Sequence, residues 1–179
     1  QQGGTTGAGH PYGSKRRPPP GSSPGTLAID PAAPASRVTA FCFGPEALQE
    51  AVPEDTEAIA ALRAQWPVVW INVDLLGDVA LIRRLGALFG LHALALEDAV
   101  HLNQRPRFED YGEYGFIVTQ MTLPEPRPHY EQLALFFGPG FVLSFQERAG
   151  DCFEPVRERL RQGRGRIRQS GADYLAYAL

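Results

Sequence analysis

The feature that most constrains the fold is a run of β-branched and aromatic residues at 68–73, with the sequence VVWINV. Such a run is typical of a strand that is buried on both faces of a sheet. Apolar residues recur at helical spacing on either side of it, at 55–65 and 78–89, and again at 151–162. A buried strand among amphipathic helices predicts a sheet that helices cover on both faces.

Four further strands are predicted at 38–43, 114–121, 132–137 and 141–145. Helix and strand alternate early and strands cluster later, which predicts the α/β class and a mixed β-sheet in an α/β/α sandwich. The last two strands meet at Gly138-Pro139-Gly140, which is a turn signal. Because Pro–Gly favours an unprimed turn whose twist suits tight hairpins poorly, we expect a loop longer than two residues.

Several helix ends carry their own signals. Gly90 is placed to end the helix before it in the left-handed conformation, and a short helix is predicted at 92–100. Ser170, with Asp173 three residues later, is predicted to cap a last helix that still runs at Leu179.

Composition divides the chain into a tail and one domain. Residues 1–25 are rich in Gly, Pro and Ser, so we expect a disordered tail, followed by a single domain at 26–179. The chain shows neither a secretory signal nor an uncharged apolar window long enough to span a membrane. Cys42 and Cys152, each beside a phenylalanine, are predicted to be small buried core residues rather than a disulfide or zinc site.

Six arginines fall between Arg157 and Arg168, which raises the question of nucleic-acid binding. No aromatic residues alternate with them as a base-stacking surface requires, and the net charge of the chain is −3. We therefore expect no nucleic-acid partner, and we expect these arginines on the solvated face of their helix.

The clearest chemical signal is the apolar stretch at 91–98, which ends in the adjacent carboxylates Glu97 and Asp98. Successive helical side chains point about 100° apart, so one helix cannot aim both acids at a single ion. Facing a neighbouring surface, they can offer hard oxygen ligands to Mg²⁺ or Co²⁺ across a gap. The alternative is a solvated helix end, since surface carboxylates are common. His101 is three residues beyond Asp98 and can share its face.

Enzyme signatures are absent from the sequence, so we do not expect an enzyme. A metal-dependent hydrolase built on the acid pair is an alternative from a different functional class, but no further acids or histidines cluster in the sequence to complete it. A stand-alone interaction module without a metal role is another.

Seven short motifs follow one another over the second half of the chain, after Trp70-Ile71-Asn72-Val73-Asp74. They are Phe89-Gly90-Leu91-His92, Leu96-Glu97-Asp98, Gln104-Arg105-Pro106-Arg107, Gln132-Leu133-Ala134-Leu135-Phe136, Phe145-Gln146-Glu147, Val156-Arg157-Glu158-Arg159-Leu160 and Gly171-Ala172-Asp173-Tyr174-Leu175. In these motifs the chain resembles the N-terminal cytoplasmic domain of the CorA family of magnesium and cobalt transporters.

The resemblance implies the metal-sensing domain of a homopentameric channel in the cell's inner membrane, with this domain in the cytoplasm. Mg²⁺ (or Co²⁺) would be both the regulatory and the transported ion, and binding between identical subunits would favour the closed state. Glu97 and Asp98 would form one side of the metal site, with partner acids from the stalk helix. That helix and the membrane helices, which alone would contact the membrane, are expected beyond Leu179.

Two alternatives remain open within this resemblance. Zinc-transporting relatives share the expected fold, so the transported ion is not fixed by the sequence. Many relatives also have His-Gln-Arg-Pro where this chain has Asn103-Gln104-Arg105-Pro106, which leaves open whether His101 contributes to a metal site.

Overall fold

The computed structural model describes residues 23, 25–27, 33–101, 104–123 and 129–179. Most of the predicted tail at 1–25 therefore lies outside the described residues. The described part contains these elements, in chain order: β1 (Arg37–Phe43), β2 (Leu48–Ala51), α1 (Thr56–Gln65), β3 (Val68–Asp74), α2 (Val79–Phe89), α3 (Ala93–Val100), β4 (Arg107–Asp110), β5 (Gly115–Leu123), β6 (His129–Gly138), β7 (Phe141–Gln146), α4 (Glu154–Gln162) and α5 (Ala172–Ala178).

The strands form one mixed sheet in the order β2-β1-β3-β7-β6-β5-β4. The pairing of β3 with β7 is parallel, and the other neighbouring strands pair antiparallel. The edge strands β2 and β4 were not predicted, because each is only four residues long and carries polar, partly exposed side chains.

Helices cover both faces of the sheet, which confirms the predicted α/β/α sandwich. Helices α1, α2 and α3 pack on one face and contribute to a first core, which includes Ile71 and Leu85. Helices α4 and α5 pack on the other face and contribute to a second core, which includes Trp70 and Leu160. Alternate residues of β3 enter the two cores, as expected of a strand that is buried on both faces. No helix in the described part of the chain is long and apolar enough to cross a membrane.

The ends of the helices confirm some sequence signals and correct others. Gly90 ends α2 at φ 68°, as predicted. Helix α4 begins at Glu154 rather than at residue 151, because the Asp151 carboxylate accepts a hydrogen bond from the Phe153 amide at 2.9 Å and closes a turn before the helix.

The predicted Ser170 cap is wrong. Ser170 donates its amide to the Arg166 carbonyl at 2.9 Å and belongs to the preceding turn, and Gly171 takes the cap position of α5.

The hairpin between β6 and β7 is tighter than predicted. Gly138 pairs with Phe141, so the loop has only two residues. Gly140 adopts φ +76°, and its carbonyl accepts a hydrogen bond from the Val69 amide at 2.9 Å. The turn is therefore supported by β3 as well as by its own hairpin.

The two cysteines differ in their surroundings. Cys42 is buried in the first core, as predicted, and burial raises the pKa of its thiol to about 11. The prediction for Cys152 is wrong, since that residue is exposed in the loop before α4. Its neighbour Phe153 takes the buried position in the second core.

Candidate metal site at the end of helix α3

Helix α3 forms where the sequence predicts it and presents both acids at its surface. His92 caps the helix, with Nδ1 accepting the Leu94 amide at 3.3 Å. The buried side of the helix consists of Ala95, Leu96, Ala99 and Val100. Glu97 and Asp98 lie between these positions and are partly exposed.

Glu97 contacts the segment that precedes the sheet. Its Oε2 accepts a hydrogen bond from the Gly25 amide at 2.6 Å. Gly25 lies so close to α3 that an added Cβ would be 2.9 Å from the Cβ of Ala93, and Leu27 is buried in the first core. Glu97 therefore connects the N-terminal segment to α3.

Asp98 points to a different partner, the arginine on β4. Its Oδ2 lies 2.6 Å from Arg107 Nη2, and Arg107 Nε lies 2.6 Å from Glu109 Oε1. Glu109 also accepts a hydrogen bond from the Tyr111 hydroxyl at 2.9 Å. We call Asp98, Arg107 and Glu109 the arginine bridge. The two adjacent acids therefore do not converge on one point within this chain.

The two carboxylates of the bridge have opposite pKa shifts. Partial burial raises the pKa of Asp98, the nearby Glu109 and Glu97 raise it further, and Arg107 opposes them. Hydrogen bonds from Arg107 and Tyr111 lower the pKa of Glu109, which is less buried. Burial and the bond to Glu109 raise the pKa of Tyr111 to about 12. Asp98 is thus the carboxylate whose negative charge is least well compensated in the bridge.

His101 ends α3 beside the bridge. Its amide donates to the Glu97 carbonyl at 2.9 Å, and its carbonyl accepts from Gln132 Nε2 at 2.9 Å. Its Nε2 is buried and has no hydrogen-bond partner among the described residues. Asn103, the position where relatives carry histidine, lies outside the described residues. His101 therefore brings an unused nitrogen donor or acceptor near Asp98.

The donor chemistry of these residues fits a divalent cation, but their number fits only part of a site. Carboxylate oxygens suit Mg²⁺, which prefers six oxygen ligands, and imidazole nitrogen suits zinc and other transition metals. In the described ranges, no three side chains of His, Cys, Asp or Glu are grouped so that they could hold an ion. Asp98 keeps 35% of its side chain exposed, so ligands from another surface can reach it.

Only part of the basic segment forms the solvated face that the sequence predicts: Arg164 and Arg166 are exposed, whereas Arg157 and Arg161 make specific contacts. Arg157 has only 14% of its side chain exposed, pairs with Asp151 and lies 5.1 Å from the centre of the Trp70 ring. Arg161 lies 2.7 Å from Glu50 of β2. These arginines therefore join α4 to the sheet through ion pairs and ring contacts.

A row of buried polar residues under α4 was also missed by the sequence analysis. Trp70 Nε1 donates to Ser144 Oγ at 2.9 Å, and Asn72 Nδ2 donates to Asp74 Oδ1 at 2.8 Å. The amide of Gln146 also donates to Asp74. The polar residues at alternate positions of β3 and β7 could have indicated this row. The apolar residues between them made both segments read as uniformly apolar strands.

The comparisons with known proteins agree with this fold. The family model described as "CorA-like Mg2+ transporter protein" matches residues 67–179. The cobalt/magnesium transport protein CorA of Thermotoga maritima is 39% identical over 137 residues, which are 75% of this chain and 39% of that protein. The chain therefore spans about two fifths of the length of that relative.

Two solved structures share the fold at low sequence identity. The soluble domain of CorA from Methanocaldococcus jannaschii matches with a TM-score of 0.58 and 12% identity, over 79% of this chain and 53% of that one. The ZntB cytoplasmic domain from Vibrio parahaemolyticus matches with a TM-score of 0.53 and 10% identity, over 72% of this chain and 51% of that one.

Proposed function

The chain belongs to the family of CorA-like Mg²⁺ transporter proteins, and from this premise we propose that it is the cytoplasmic metal-sensing domain of a divalent-cation transporter. The complete protein carries Mg²⁺ or Co²⁺ across the cell's inner membrane through helices outside the described residues. Five identical subunits surround the pore, and the same ion regulates its opening.

The observation that carries the proposal is the position of Asp98, which is partly exposed near the C-terminal end of α3. Its pKa is raised by partial burial and by two nearby acids, so its carboxylate gains from an added positive charge. Acids of a neighbouring subunit complete the site opposite Asp98. A dication between the two surfaces removes the repulsion among the carboxylates and favours the closed arrangement of subunits by population shift. Glu97 lies beside this interface.

Zinc is the second candidate ion, and His101 is the observation that favours it. The buried Nε2 of His101 has no partner in the described part of the chain. Imidazole suits zinc better than magnesium. The family consists of transporters rather than enzymes, which disfavours the hydrolase alternative.

Substitution of Asp98 by Asn in the full-length protein tests the proposal. Asn keeps the shape of the side chain but loses the charged ligand, and even second-shell changes weaken metal binding by about 10–100-fold. We expect the Mg²⁺ midpoint for protection from a protease to rise at least roughly tenfold. A parallel titration with Zn²⁺ identifies the preferred ion.

The matched control is Glu113→Gln, which removes one charge from an exposed acid between β4 and β5. This control should leave the midpoint unchanged. Equal midpoints for wild-type protein and Asp98→Asn would remove Asp98 from the sensor and leave the acid pair as a solvated helix end.

A further inference from the structure

We propose that Arg107 is a built-in competitor for the regulatory cation, holding Asp98 while the ion is absent and setting the concentration at which the ion binds. This inference rests on the proposed function, because it concerns the same carboxylate. It gives a role to Arg107, which the sequence analysis named only as part of a motif and which offers no ligand atom to a metal.

Arg107 is held in one position by contacts around its guanidinium group. Nε bonds to Glu109 at 2.6 Å, Nη1 to Gln104 at 3.2 Å and Nη2 to Asp98 at 2.6 Å. Its guanidinium carbon also lies 5.6 Å from the centre of the Phe116 ring, within cation–π range. Only 24% of the side chain is exposed. Arg107 is therefore a fixed positive charge rather than a mobile surface side chain.

A dication and this guanidinium cannot both approach the Asp98 carboxylate closely without mutual repulsion. Binding of the ion therefore requires Asp98 to exchange one cation for another. The exchange leaves Arg107 with partners, since Glu109 and Gln104 still accept hydrogen bonds from its other two nitrogens. Arg107 therefore keeps hydrogen-bond partners whether or not it is paired with Asp98, and the fold need not rearrange when the ion displaces it.

This competition also bears on ion choice. A monovalent cation offers Asp98 no more charge than Arg107 does, and it lacks the directed N–H bond at 2.6 Å. A dication offers twice the charge. Displacement of Arg107 therefore raises the concentration needed for every ion, and a dication has the stronger attraction to Asp98 with which to offset that cost.

The test is a Mg²⁺ titration of protease protection in the full-length protein, comparing wild type with Arg107→Gln. We expect the midpoint to fall by up to roughly fivefold, since an exposed or partly exposed ion pair changes an equilibrium constant by at most about this factor. Arg107→Lys keeps the charge but replaces the planar guanidinium, whose three nitrogens each bond a different acceptor, with a single ammonium group, so its midpoint should fall by less.

Arg105→Gln is the matched control, because Arg105 is exposed two residues away and has no ion-pair partner within the described ranges. It removes the same charge and should leave the midpoint unchanged. Melting of each variant without Mg²⁺ measures any structural effect, which would change ion-free stability without lowering the midpoint.

The outcomes separate this inference from the proposed function. If the Mg²⁺ midpoints of both Arg107 variants are equal to or higher than that of the wild type, the competitor role alone is overturned. An equal fall in Arg105→Gln would also overturn it, because the effect would then come from diffuse charge. A wild-type protein that shows no Mg²⁺ midpoint would overturn the proposed function and this inference together.

Discussion

Asp74, at the end of β3, shows how burial controls the charge of a single carboxylate in this domain. It faces the second-core side of the sheet and accepts hydrogen bonds from Asn72 and Gln146. Burial raises the pKa of Asp74, and the nearby Asp151 adds to this, while the two amide donors and Arg157 oppose it. The folded protein therefore binds a proton at Asp74 more tightly than the unfolded chain does.

This shift predicts a pH-dependent effect of Asp74→Asn. An acid whose pKa is raised by folding adds stability at low pH, and that stability is lost as pH rises from the unfolded to the folded pKa. Asn is neutral at every pH and keeps an oxygen acceptor. We therefore expect the variant to be more stable than wild type near neutral pH, with the difference vanishing below the ordinary pKa of aspartate. Urea unfolding at a series of pH values measures this.

Glu113→Gln serves again as an exposed control and should show no such pH-dependent gain in stability over the wild type. If Asp74→Asn were less stable than wild type near neutral pH, the charged carboxylate would be stabilised by its donors more than burial penalises it.

At the residue scale, the sequence predicted the positions of Glu97 and Asp98 but not their partners. A short helix at 92–100 with both acids near its end was predicted, and α3 carries Glu97 and Asp98 there, partly exposed. Arg107 is nine residues from Asp98 and lies on a short polar strand that carries no pattern of its own. Pairing between a helix and an edge strand depends on the sheet order, which local patterns do not encode.

At the scale of elements, helix α2 connects the sheet to the helix that carries the candidate site. Leu85 is fully buried in the first core. The next residue, Gly86, lets α3 approach closely, because an added Cβ would lie 2.1 Å from Cδ1 of Leu96. The position of Asp98 relative to the sheet therefore depends on the packing of α2.

Leu85→Ala should destabilise the domain by about 2–5 kcal/mol, as for other buried leucines. Denaturant unfolding of the variant measures the loss. Arg84→Ala, at the exposed position beside it, should change stability by less than about 0.5 kcal/mol. A loss of that small size for Leu85→Ala would mean that this face of α2 does not pack on the sheet.

The elements that the sequence predicted are those with a long apolar period, such as α2 and β3. The sequence analysis missed β2 and β4, because strands of four residues that include charged and polar side chains are too short to show such a period. The expected loop length between β6 and β7 was also wrong. The hydrogen bond from Val69 to Gly140 supports the tight turn, and that contact joins segments that local turn rules treat separately.

At the scale of the whole molecule, the central claim is that Asp98 forms one side of a metal site between subunits. The chain spans 39% of the Thermotoga relative, so the opposite side of the site is expected in a part of the protein outside this chain. Our proposal is that Arg107 holds Asp98, whose pKa is raised, until a dication replaces the arginine in a site that a neighbouring subunit completes.

The most direct test is to crystallise the full-length protein with Co²⁺ and to locate the ion by anomalous scattering at the cobalt edge. We expect a cobalt peak within coordination distance of the Asp98 carboxylate and of an acid from a neighbouring subunit, with Arg107 turned from Asp98 towards Glu109. Cobalt peaks only at other positions, with Asp98 still paired to Arg107, would contradict it.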